Sequence, residues 1–425
     1  MFLQFHGLKS YSNAVLPNRG QDGFAKRAPM GDAERQRISS QCLKAALRDA
    51  NQPLYVHVNG EDVSDTMTDL ASSLASGMAI RSRYVFPVAV YPKLVMAFEG
   101  NEILAGEYAK EFAALFGKDK SGGEGKADKK PNDAKPVDRG FVEQPLVIGE
   151  VEAEAIIKAI VTIHQGGIAP KDMREIFEKA AARKKAGQAV IEAIENISAL
   201  KAHCGLDGAL FGRMITGSVL SRVDACVHVA HALTVHPIKS VGDYFSVQDN
   251  RQLQFDEDAT GGSHNNSVEL TTGLFYQYSV GDLRQMVTNF AGYSAEQIGQ
   301  VIGWLVRAAY RVECAAKLGS TAPFGNMPFF AVELGKRQPR TLMDAFEMSM
   351  KNADSKVAAE RLLAYRELRV LLDGATELLR IDDPAVLERA RAQNRAAIEV
   401  LAELVVVKAL PALQALVGAT REEVA

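Results

Sequence analysis

The chain has 425 residues, enough for a large core and for two or three structural units. Hydrophobic residues make up 47% and charged residues 24%, with a net charge of -3, ordinary globular values that give no global sign of a polyanion binder. Any such role has to rest on a local basic patch.

Phe2 to Leu8 (FLQFHGL) reads as a short strand. It has no basic n-region or cleavage site, so no signal peptide is expected. Residues 9 to 37 carry little periodicity and several glycines, prolines and arginines, and read as a long loop of the kind that is functional or disordered. Ser39 or Ser40 then caps a helix with Leu43, Ala46 and Leu47 on its apolar face and Lys44 and Arg48, four apart, on another. Residues 51 to 117 are mixed. Residues 118 to 140 are dense in Lys, Asp, Gly and Pro, cannot bury a core and are expected to be a disordered loop.

From Val151 to about Leu200 the pattern is helical, and a further helix is expected from Leu220 to Val235, ended by His236-Pro237. Residues 238 to 268 look like a protruding hairpin or arm. Val268 to Tyr278 (VELTTGLFYQY) is a strand by its β-branched and aromatic content. Ala295 to Lys317 reads as helix and Pro328 to Leu334 as strand. The tail from Thr341 reads as helical almost throughout, with Pro384 starting its last long segment. This order of elements is compatible with a split βαβ core carrying large insertions.

Cys42, Cys204, Cys226 and Cys314 lie far apart with no CxxC pair, which argues against a zinc ribbon or a disulfide framework and fits a reducing, cytoplasmic setting. No apolar run of about 18 residues is free of charge or proline, so no membrane partner is expected. GxxxxGK[ST], GxGxxG beside a strand and GxSxG are absent.

The informative cluster is residues 18 to 48. It holds seven cations, Arg19, Lys26, Arg27, Arg35, Arg37, Lys44 and Arg48, against Asp22, Asp32 and Glu34. Cations together with the N–H groups at a serine-capped helix start suit phosphate binding. A solvated basic surface explains the same charges.

Asn18-Arg19, Lys26 and Arg37-Ile38-Ser39-Ser40-Gln41, with Leu43-Lys44 and Arg48, resemble the N-terminal signature of the CasC-type backbone family of type I-E CRISPR Cascade complexes. That family has an "LNRD" loop and an "RISSQ-x-LKRA-x-R" helix; here Gly20 replaces the first aspartate and Ala45 an arginine. Gly212-Arg213-Met214, Val223-Asp224-Ala225, Ala230-His231-Ala232 and Thr234-Val235-His236 are similar to the family's "SGRM … VDGA … AHAITTH". Phe211 takes the place of the serine. Asp243-Tyr244-Phe245-Ser246-Val247 is similar to the family's thumb start, and Val268-Glu269, Thr271-Thr272-Gly273, Phe275-Tyr276 and Tyr278 to its "QEFSSGVFYRY" strand. Residues 51 to 200 and the tail after about 350 match poorly.

The resemblance implies an α+β fold: an RRM/ferredoxin-like palm with a large helical finger insertion, a thumb hairpin and a helical C-terminal region. It sets palm segments at 1–50, 205–237 and 268–345, the finger at 51–204, the thumb at 238–267 and the helical region at 346–425. It implies a non-catalytic, cofactor-free subunit whose copies form a helical filament along CRISPR guide RNA. The further partners are other Cascade subunits and, through the guide, target DNA. Lys26, Lys44 and Arg48 would contact phosphates, with Arg19, Arg37, Ser39, Ser40 and Gln41 shaping the loop. Phe245, with Ser246 and Val247, would wedge at a displaced base, and Met214 would pack on bases beside Arg213. Core packing explains Phe245 and Met214 as well.

Three rival readings compete with this one, of which a generic helical scaffold explains residues 341 to 425 but not the basic loop. His228, His231 and His236 with Asp224 invite a metal-site reading, weighed against core or capping histidines. Asp22, in the loop after the first strand, invites a reading as the RNA-cutting aspartate of type III backbone subunits.

Overall fold

The computed structural model describes residues 1–17, 20, 24–49, 51–52, 54–58, 61–116, 137–142, 144–199, 204–215, 220–247 and 264–424. They form two compact units. The first is built from Met1–Thr66, Val227–Leu283 and Ser294–Ala425, and the second from Met67–Cys226 with Arg284–Tyr293. The inserted unit therefore runs from 67 to 226, where the sequence reading set a finger at 51 to 204.

The first unit is organised on a nine-stranded sheet. Its strands are β1 (Phe2–Ala14), β2 (Arg27–Met30), β3 (Ala33–Ile38), β4 (Val227–Val229), β5 (Ala232–Thr234), β6 (Ser240–Val247), β7 (His264–Asp282), β8 (Asn326–Gly335) and β9 (Glu377–Arg380). The order is β9-β8-β1-β7-β5-β3-β2, with β4 and β6 also pairing with β7, and every pairing is antiparallel.

Both faces of the central strands are covered. Phe5 and Gly7 of β1 stand level with Ser279 and Gln277 of β7 and with Val332 and Phe330 of β8. Toward this face come Leu43 and Leu47 from the helix Ser40–Arg48, and Ala308, Ala309 and Val312 from the end of the helix Ala295–Arg311, around a cavity of about 50 Å³. On the opposite face Leu8, Tyr276, Phe329 and Ala331 pack under Leu342, Phe346 and Met350 and under Ala358 and Leu362 of the helix Ser355–Asp373.

Three parts of the sequence reading change. First, β1 runs to Ala14, and residues 27 to 38 form a hairpin, not a loop. Gln4 and Lys9 are polar yet interior because their partners are distant in sequence, and Lys9 hid the extension of β1 past Leu8. Buried Gln4 accepts from the Arg340 N–H at 2.7 Å and the Tyr278 hydroxyl at 2.8 Å, and Lys9 pairs with Glu313 at 2.5 Å. The β2–β3 hairpin turns on Gly31-Asp32. Gly31 has φ +57°, and a Cβ there would fall 1.7 Å from the Glu347 carbonyl oxygen, so only glycine fits.

Second, the expected helix 220–235 is extended chain carrying β4 and β5. Val227, Ala232 and Thr234 are buried while His228, Ala230 and His231 are exposed, and pairing with β7 overrides a run whose apolar density alone looked helical. Third, the C-terminal region contains β9, which pairs with β8. The Pro384 start signal holds: Asp383 caps the helix Pro384–Gln393, its Oδ1 accepting from the Ala385 N–H at 2.9 Å.

The helix expected to Lys317 ends at Arg311. The last helix, Ala397–Val424, is long and apolar enough over 397–420 to cross a membrane by length and composition, with a mean hydropathy of 1.9. The helix continues through Lys408 and Pro411, and Val405, Ala409 and Leu413 are buried.

The second unit is largely helical. The helices expected between 151 and 200 are Glu150–Gln165, Pro170–Glu178, Ala180–Lys185 and Gln188–Ala199. Its core joins Phe86, Phe112, Ile156, Ile160 and Phe177, with Phe86 and Phe112 edge-to-face at 5.7 Å. Most of the 118–140 stretch lies outside the described residues.

Candidate nucleic-acid interface

The basic helix begins as its sequence requires. Ser39 is its N-cap, in extended conformation (φ −72°, ψ 149°), with Oγ accepting from the Cys42 N–H at 3.4 Å. The first turn carries no acidic residue and Arg48 lies in the last, so nothing in the first turn offsets the positive end of the dipole. Ser40 donates its N–H to Nδ1 of His231 at 2.9 Å, a side chain from the turn between β4 and β5. The ladder that pairs Arg37 with Leu233 and Ile38 with Ala232 brings the two together.

Three cations act electrostatically on that imidazole. Burial first, and then the charges of Arg37, Lys26 and Lys44, hold His231 below the usual histidine range. Lys26 is fixed by its carbonyl oxygen, which accepts from the Arg37 N–H at 2.8 Å. Residues 18 positions apart thus converge on the start of one helix. With the Ser40 and Cys42 N–H groups taken up by His231 and Ser39, two lysines and an arginine at the positive end of the helix dipole form a place for an anion with several oxygens, such as a backbone phosphate.

Gln41 is exposed in the first turn, and Lys44 and Arg48 are half-buried along the helix. Arg19 and Asp22 lie outside the described residues. Two cations of the cluster serve the fold. Arg35 is fully buried and donates to the Thr234 carbonyl oxygen at 3.2 Å, the Phe346 carbonyl oxygen at 2.9 Å and Asp32 at 3.3 Å. Arg27 pairs with buried Glu269 at 3.2 Å.

On the strand pair, Phe245 of β6 stands opposite Asn266 of β7, and the Lys317 ammonium sits 5.0 Å from its ring centroid. Phe245 is only partly buried, which removes the core-aromatic reading; Ser246 is exposed, and the Val247 side chain lies outside the described residues. The neighbouring Tyr244 is 68% exposed. Lys317 and Tyr244 belong to this surface without having been singled out. An aromatic residue inside the thumb motif is the sequence signal for Tyr244; no local signal marks Lys317.

In the second unit the paired expectation for Arg213 and Met214 divides. Arg213 is buried: it reaches Glu152 at 2.5 Å, the Val147 carbonyl oxygen at 3.2 Å and the Ser221 carbonyl oxygen at 2.6 Å. It is a structural tie and is not available to a ligand. Met214 is 88% exposed and is not core.

The histidines also resolve. His236 is buried, its Nε2 accepting from the Leu274 N–H at 3.2 Å, while His231 caps a helix and His228 is exposed on β4. Among the described residues no three His, Cys, Asp or Glu side chains are grouped to hold a metal.

The chain is a mixed α+β protein with an antiparallel sheet, a helical C-terminal region and this basic helix start. It belongs to the CT1975-like protein family, a Cas family whose model matches residues 3–378. Among solved structures, a chain of a "CRISPR RNA-guided surveillance complex, pre-nicking" is similar in fold, with a TM-score of 0.61 and 21% identity over 89% of this chain and 91% of that one. A chain of another "CRISPR RNA-guided surveillance complex" aligns over 96% of this chain and 100% of its own, at 15% identity and a TM-score of 0.47. No curated protein matches.

Proposed function

We propose that the chain is a non-catalytic, cytoplasmic backbone subunit of a type I-E-like Cascade. Several copies line the spacer of a CRISPR guide RNA and present it for pairing with target DNA, alongside other Cascade subunits. The observation that carries this reading is the convergence of Lys26, Arg37 and Lys44 on the Ser40–His231 pair at the start of the basic helix. Such a site holds phosphates without reading bases, and guide pairing supplies the sequence specificity.

The sheet supports the same reading and narrows it. The central order β8-β1-β7-β5, with the helices Ser40–Arg48 and Ala295–Arg311 in the two crossovers, supports reading this unit as an RNA-recognition-like palm. In such palms bases stack on the sheet face opposite the helices. Here that face carries Tyr276 and Phe329 but is covered by Leu342–Met350 and by the helix Ser355–Asp373. RNA is therefore left with the basic helix start, and with the β6–β7 strands where Tyr244 and Phe245 offer aromatic surface. The solved relative's place in an RNA-guided complex agrees.

Purification from a host that also expresses a CRISPR array tests this. Uniform short RNA carrying spacer sequence, bound by several copies of the protein, is the expected result. Protein that elutes as a clean monomer without RNA overturns it.

A further inference from the structure

Cys42 and Cys314 are 272 positions apart, yet their sulfurs lie 3.1 Å from one another in the first unit. Cys42 is the third residue of the basic helix and is half-buried. Cys314 follows the helix Ala295–Arg311 and is 3% exposed, its N–H donating to the Tyr11 hydroxyl at 3.2 Å. Both are free thiols. About 1 Å of approach separates this contact from a disulfide bond.

The geometry points to a modification site: Cys42 and Cys314 form an attacking and resolving thiol pair that hydroperoxides oxidise to an intramolecular disulfide. The two sulfurs differ as such a pair requires. The hydrogen bond with Cys314, and then the charge of Lys26, lower the Cys42 thiol, and its place at a helix N-terminus acts in the same direction. The bond it shares with Cys42, followed by burial, raises Cys314. Cys42 is thus the more exposed and more readily ionised thiol, and Cys314 the more protected one. The other two cysteines lack this arrangement. Cys204 is pushed up to about 12 by burial, and Cys226 is buried with its sulfur 3.3 Å from the Ala209 carbonyl oxygen.

The reaction balances with the peroxide alone as oxidant. The Cys42 thiolate attacks one peroxide oxygen; an S–O bond forms, the O–O bond breaks, and the departing oxygen leaves with the electron pair and takes up a proton. The Cys314 sulfur then attacks the Cys42 sulfur. An S–S bond forms, the S–O bond breaks, and the thiol proton leaves with the hydroxide as water. Two thiols are oxidised and one hydroperoxide is reduced. The product ties the first turn of the basic helix to the chain beyond Arg311, across the core of Tyr11, Ala14 and Ile38.

The test treats the reduced full chain with hydrogen peroxide, alkylates the remaining thiols in denaturant and maps tryptic peptides. Cleavage after Arg37 and Lys44 and after Arg311 and Lys317 isolates the two cysteines on peptides 38–44 and 312–317. The expected result is those peptides joined in a protein that runs as a monomer on a non-reducing gel, with Cys204 and Cys226 alkylated. Cys314→Ser is expected to leave a Cys42 sulfenic acid that a 1,3-dione traps. Cys42 over-oxidised beside an alkylated Cys314, a linkage between two chains, or unreactive thiols would each overturn the assignment.

Discussion

Nδ1 of His231 accepts the Ser40 N–H at 2.9 Å, so a residue from the β4–β5 turn caps a helix that begins nearly two hundred residues earlier. Because Nδ1 is the acceptor, the neutral imidazole carries its proton on Nε2. Protonating Nδ1 breaks the cap and adds a charge beside Lys26, Arg37 and Lys44.

His231 is therefore predicted to titrate below the ordinary histidine value of 6.5. A group whose neutral form is favoured in the fold binds more protons when unfolded, so its contribution to stability is complete above 6.5 and is lost as the pH falls below it. NMR titration of the ring reads the midpoint directly, and a midpoint above 6.5 contradicts the cap. His231→Ala is expected to cost about 1 kcal/mol in unfolding measurements, the usual cost of a lost N-terminal acceptor.

Lys44→Ala combined with Arg48→Ala is expected to weaken RNA binding evenly across sequences. For a single strand each lost phosphate contact flattens the log–log salt dependence by about 0.7, so the pair removes about 1.4. Affinities measured over a salt series decide this. An unchanged slope removes both residues from the phosphate track.

Arg213→Ala is predicted to act on folding instead. It leaves Glu152 buried with its ion-pair partner gone, a loss of about 3–5 kcal/mol. The neighbouring Met214→Ala is expected to stay within about 0.5 kcal/mol because its side chain is exposed. Denaturant unfolding of the two variants separates the roles, and a salt slope altered by Arg213→Ala would return that residue to the interface.

Stability is predicted to fall with acid in two stages. Burial, outweighing Glu333, holds His6 below 6.5, so its contribution is present above 6.5 and lost as the pH drops below that value. Burial alone would raise Glu333. Hydrogen bonds from His6 and Thr376 and the charges of His6 and Arg366 outweigh it and hold the carboxyl at about 2; with His6 neutral, Thr376 and Arg366 carry the effect. Its contribution is present above 4.5 and lost as the pH falls toward 2. Unfolding free energies measured above 6.5, between 6.5 and 4.5, and below 4.5 are expected to decline in that order. A maximum in the middle range would contradict the buried neutral His6.

What the sequence determined by itself is local or carried by motif. The Ser39 cap, the helix to Arg48, the helices between 150 and 199, the β7 strand, the start signal at Pro384 and the family resemblance all depend on residues a few positions apart or on ordered motifs. Tertiary structure decided which polar residues are interior. Arg35 and Arg213 looked like surface cations and are buried because carbonyl oxygens and carboxylates up to 311 positions away accept from them. It also turned residues 227 to 234 into strands, carried β1 past Leu8 with Lys9 buried against Glu313, and set His231 on Ser40 and Cys42 on Cys314. Periodicity and capping are set by neighbours along the chain. A buried charge or a borrowed cap needs a partner that only the folded sheet brings near.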